Sequence, residues 1–84
     1  MQVYVVYIER WVGSYPDFYI DGVFRNEKDA WKCLESRYNT FLERVTPFIN
    51  ISTIRVDSNK IVIHYEDTTG RNSIIYKIET RKLR

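Results

Sequence analysis

The 84-residue chain holds one histidine, His64, and one cysteine, Cys33, so nucleophilic, acid–base or metal chemistry must begin from these two and from eleven carboxylates. A hydrolytic site needs a nucleophile, a base and a group that orients the base. His64 sits inside Ile61-Val62-Ile63-His64-Tyr65, the alternation of a strand, with no partner motif beside it, and reads as a half-exposed strand histidine. Cys33 flanks the apolar stripe of a helix between Lys32 and Leu34 and reads as a buried, inert thiol. One residue of each soft ligand type does not make the usual set of about four ligands for structural zinc. Gly13, Gly22 and Gly70 lie too far apart for a dinucleotide fingerprint or a phosphate-cradling loop. Acidic pairs such as Asp17 with Asp21 and Glu66 with Asp67 arise by chance among eleven carboxylates. The reading is a non-enzymatic protein without metal or cofactor.

What remains is surface chemistry, and its densest stretch is Arg10 to Tyr19, where four of the thirteen aromatic residues fall within ten positions. Trp, Tyr and Arg dominate binding energy at protein interfaces, because a rigid ring buries much area at small entropy cost and Arg adds a planar donor fork. The segment Gly13-Ser14-Tyr15-Pro16-Asp17 reads as a surface loop. Arg10, Trp11, Tyr15, Asp17, Phe18 and Tyr19 are therefore the candidate partner-binding residues. Two outcomes are open: the rings stand out as a contact surface, or Trp11 and Phe18 fold back to cover an open sheet face.

The formal charge of +2 is too small to imply a nucleic-acid partner by attraction alone. It is unevenly spread: residues 1–45 carry six basic and seven acidic side chains, and residues 46–84 carry seven and four. Arg71, Lys77, Arg81, Lys82 and Arg84, with Tyr65 or Tyr76 as a stacking plane, form the candidate surface for an alternative function as a small nucleic-acid-binding module. The competing account makes Lys77 an ordinary outward strand residue and Arg81 to Arg84 a frayed, solubilising tail.

The elements that must position these groups follow from periodicity. Residues 2–8 are β-branched or aromatic on both alternating sets, which predicts an interior strand. A second extended run, Phe18 to Phe24, is interrupted by Asp21-Gly22, where glycine marks a bulge. Asn26 is placed to cap a helix, with Glu27 and Asp29 in its first turn. Ala30, Leu34, Tyr38, Phe41 and Val45, widened by Trp31 and Leu42, trace its buried stripe, and Pro47 ends it. The last third changes to period 2, with strands from Ile49 or Ile51 to Val56, around Ile61, Ile63 and Tyr65, and around Ile74, Tyr76 and Ile78. Asp57-Ser58-Asn59 and Asp67-Thr68-Thr69-Gly70 between them predict a three-stranded meander. Val62, His64 and Glu66, with Ile75, Lys77 and Glu79, form its mixed outer face. The result is a single α+β domain over residues 1–84, ordered β-β-α-β-β-β, with one amphipathic helix on a largely antiparallel sheet. Strand order stays open, including a parallel pairing of residues 2–8 with the final strand.

Val3-Tyr4-Val5-Val6-Tyr7, Asp21-Gly22-Val23-Phe24 and Asn26-Glu27-Lys28-Asp29-Ala30 together resemble small accessory proteins of bacteriophages and other mobile elements, over residues 2–35. The resemblance implies a viral protein that binds a host protein, such as a nuclease or defence enzyme, and inhibits or redirects it. It brings no catalytic residue. The lone cysteine and the absence of a signal-peptide pattern or long apolar run predict a cytoplasmic protein without a membrane partner, in the host cytoplasm if phage-encoded. Several apolar strand faces under one covering helix also leave room for a homodimer.

Overall fold

The computed structural model describes residues 1–82, and Leu83 and Arg84 lie outside them. Strands β1 (Gln2–Val12) and β2 (Tyr15–Phe24) precede helix α1 (Glu27–Val45), a 3-10 turn at Thr46–Phe48, and strands β3 (Asn50–Val56), β4 (Lys60–Asp67) and β5 (Gly70–Lys82). All five strands form one antiparallel sheet in the order β2-β1-β5-β4-β3. The expected α+β arrangement of one helix on an antiparallel sheet is present.

The parallel contact between the first and last strands does not form; they run antiparallel, with Val6 opposite Ile78 and Val3 opposite Arg81. The connections explain the direction. Strands β2 and β3 run the same way because α1 returns the chain between them across one face, and the two hairpins that follow leave β5 antiparallel to β1. The meander itself is as expected.

Helix α1 starts where the sequence signals it. The Asn26 side chain accepts a hydrogen bond from the Asp29 amide at 2.9 Å, satisfying a donor that has no partner inside the helix. Ala30 and Leu34 are fully buried, and Trp31, Tyr38, Phe41 and Leu42 pack beside them on the core. On the sheet the core residues are Val6 and Ile8 of β1, Ile74, Tyr76 and Ile78 of β5, and Ile61, Ile63 and Tyr65 of β4. The Phe41 ring reaches β4, its centroid 5.7 Å from that of Tyr65.

The other face has no covering helix. Val3 and Val5 are nonetheless buried there. Arg81, opposite Val3, donates to the Tyr7 hydroxyl at 3.1 Å, so its aliphatic stem lies along the β1 side chains between them. Lys77 stands over the Tyr7 ring, 5.9 Å from its centroid.

The bulge falls at the predicted place. Val6 pairs with Gly22 and Tyr7 with Ile20, which leaves Asp21 as the extra residue on β2. A Cβ on Gly22 would stand 2.7 Å from the Phe24 ring, so that ring occupies space only glycine leaves free.

Candidate functional site

The stretch from Arg10 to Tyr19 is not a loop. Strands β1 and β2 continue to Val12 and from Tyr15, so the aromatic residues sit on a hairpin arm closed by Gly13 and Ser14 alone. Gly13 takes a φ of +63°, and among the described residues no other type has a positive φ. A two-residue turn with the positive φ at its first position matches the right-handed twist of the flanking strands. Pro16, which suggested a turn, is tolerated because β2 is an edge strand.

The arm is anchored by a residue that the sequence reading passed over. Asn72 is buried; its side-chain oxygen accepts from the Gly13 amide at 3.2 Å and its nitrogen donates to Thr69 Oγ1 at 3.1 Å. It thereby ties the β1–β2 turn to the β4–β5 turn, where Asp67 accepts from the Thr69 amide and hydroxyl and Gly70 supplies a φ of +114°. A signal was present: Asn72 has the inward parity of Ile74, Tyr76 and Ile78, and a polar residue at a core position needs a specific partner. Asn72→Ala is expected to cost about 1–3 kcal/mol, the penalty for unpairing buried polar groups, and to speed hydrogen exchange at the Gly13 amide. Denaturant melts and exchange NMR check both.

Residues 12–20 are all exposed, so no element covers either face of the arm, although β5 runs beside its β1 strand as far as Val12, opposite Asn72. Tyr15 is 80% and Phe18 57% exposed, and Tyr19 is also open. Only Trp11 is half-buried, its ring edge-on to Phe18 at 6.3 Å between centroids. The six candidate residues occupy two faces. Pairing sets Tyr15 opposite Val12, Asp17 opposite Arg10 and Tyr19 opposite Ile8, all on the helix side. Trp11 and Phe18, with Ile20 and Val23, lie on the open face. Trp11 alone is partly covered on the open face, Phe18 does not fold away, and Tyr15, Phe18 and Tyr19 are exposed to solvent.

The bulge serves a second purpose. It carries Asp21 to the helix, where one carboxylate oxygen accepts from Arg37 Nε at 2.8 Å and from Cys33 Sγ at 3.2 Å. Burial, followed by the hydrogen bond to Asp21 and its charge, pushes the Cys33 thiol above its usual range. A thiol held protonated in this way is a poor nucleophile. Asp21→Asn removes the negative charge and weakens the hydrogen bond to the thiol, so Cys33 is expected to react faster with a disulfide reagent at neutral pH. The accompanying stability loss stays near 1 kcal/mol, because Arg37 is largely solvated.

Burial, then the neighbouring Tyr19 and Tyr65, likewise raises the Tyr76 phenol. For both groups the unfolded chain releases its proton first, so their contribution to stability is intact below pH 9.0, the ordinary thiol value, and falls as pH rises past 9.0 and then past 10.0. Thermal melts between neutral and strongly alkaline pH are expected to show a falling midpoint, with the thiol component absent in Cys33→Ser.

The chain matches no protein-family model, no curated protein and no solved structure.

The basic candidates are placed along β5 and do not form one patch. Arg71 pairs with Glu66 at 3.5 Å beside the β4–β5 turn, and Lys77 and Arg81 share Glu79 at 3.6 and 2.8 Å. Ten residues of strand put Arg71 and Arg81 about 33 Å apart. Lys82 points to the helix side, opposite Gln2, and Arg84 lies outside the described residues. Arg81 and Lys82 are not a frayed tail, because both pair with β1 and extend the sheet. His64 is exposed beside a shallow groove of about 360 Å³ lined by Ser52, Glu66, Arg71 and Asn72. Among the described residues no hydrogen bond joins His64 to them, no cluster of three or more metal-ligating side chains forms, and no helix is long and apolar enough to cross a membrane.

Proposed function

We propose that this protein is a non-enzymatic binder whose β1–β2 arm docks on another protein. The observation that carries the reading is the exposure of Tyr15, Phe18 and Tyr19 at the hairpin end of the sheet, where β1 is held between β2 and β5 as far as Val12 and the turn is fixed by Asn72. Large rings held still in water lose little entropy on binding and bury much area, which is the usual character of an interface anchor. Because the rings lie on both faces, the fitting partner offers a cleft that grips the arm from two sides. Tyr15 and Tyr19 enter one wall, Phe18 and Trp11 the other, and Arg10 and Asp17 set orientation at the rim.

The resemblance of residues 2–35 to phage accessory proteins supplies the partner class: a host protein, such as a nuclease or defence enzyme, inhibited or redirected by occlusion. Affinity purification from the native host followed by mass spectrometry tests this. A partner retained by the wild type and lost by Tyr15→Ala/Phe18→Ala supports the reading; equal recovery by both removes it.

A further inference from the structure

We infer that the β3 edge of the sheet joins the same edge of a second copy of this chain, giving a continuous ten-stranded sheet with both helices on one side. The sheet has two open edges, and they are not equivalent. The β2 edge carries Pro16, which removes a donor, and the Asp21 bulge, which bends the strand, both devices that discourage strand addition. The β3 edge has no proline, and its one irregularity, at Ser52, leaves Thr53 to Val56 regularly paired with β4. Its outward amides and carbonyls therefore face water along the regular stretch Thr53 to Val56.

The side chains beside that edge are the second observation. Helix α1 runs over β2, β1 and β5; on the helix side of β3 only Ile51 packs on the core, and Ile54 and Val56 are left exposed. Ile54 and Val56, which face that side opposite Ile63 and Ile61, are 43% and 65% exposed. Opposite residues of an antiparallel pair point to the same side. Pairing two copies about Ile54 sets Ile54 on its own counterpart, Val56 on the second copy's Ser52, and Arg55 on the second copy's Thr53. Ile54 then covers its counterpart, Val56 lies against Ser52, and no like charges meet. Centring one residue later would set Arg55 against Arg55, so charge selects the register. The seam is short, well under the roughly 800 Å² per partner of a standard interface, so the dimer forms in proportion to concentration.

Sedimentation equilibrium of the full chain over a wide concentration range reads this directly. The expected weight-average mass rises from 10.2 kDa toward twice that value. Ile54→Lys sets two ammonium groups face to face and is expected to hold the mass at that of one chain, as is Val56→Lys, while both stay folded by circular dichroism because the sites are exposed. Val23→Lys, on the open face of the opposite edge strand, is expected to leave the dimer intact. A wild type that stays monomeric throughout, a dimer that survives both β3 variants, or one abolished by Val23→Lys overturns the inference. Tyr15→Ala/Phe18→Ala leaves the mass unchanged, so this result and the arm's partner capture fail or succeed separately.

Discussion

Tyr15→Ala/Phe18→Ala is expected to weaken capture of the proposed protein partner by at least about 30-fold, the equivalent of about 2 kcal/mol for the loss of one anchoring ring. The fold should barely notice. Tyr15 is 80% exposed, and substitution of such a side chain stays within about 0.5 kcal/mol. Phe18 loses its edge contact with Trp11, worth about 0.5–1.5 kcal/mol. Binding and melting are thus separated by the same two substitutions, and isothermal titration beside a thermal melt measures both. A cooperative melt lost together with binding would assign the rings to the core and remove the arm as a docking element.

Leu34→Ala is expected to have the opposite signature. Leu34 is fully buried where α1 meets the sheet, among Val6, Ile8 and Ile78 of the same core. Truncation there removes transfer energy and leaves a cavity, at a combined cost of about 2–5 kcal/mol. A chain of this length has a total stability of roughly 4–13 kcal/mol, so the variant gives up a large part of it. Denaturant titration should show a lower midpoint with little change in slope. Partner capture by the fraction still folded should be unchanged, because Tyr15 and Phe18 are exposed and lie outside the core cluster.

The two variants also mark how far the site could be read without coordinates. The residues of the arm were legible, since ring-rich sequence around a glycine identifies itself by composition. Its architecture was not, because Pro16 and Asp17 have the chemistry of a turn and only the pairing of β2 with an already extended β1 makes them strand residues. Asn72 was passed over because nothing nearby in sequence reports its bond to Gly13, 59 positions away. The basic side chains were counted correctly, but their neutralisation by Glu66 and Glu79 depends on which strand positions share a face.

The amino-acid order alone determined what local physics decides: the Asn26 cap, the helix stripe, the break at Pro47, the meander turns and the bulge at Asp21-Gly22. Each of these depends on residues within a turn or two of one another. Tertiary structure alone decided that β1 lies between β2 and β5, and on which face each ring stands. Strand side chains alternate with a period of two, so the single extra residue at Asp21 reverses the facing of everything N-terminal to it on β2. Phe18 therefore joins Trp11 on the open face, and Tyr15 and Tyr19 look out on the helix side.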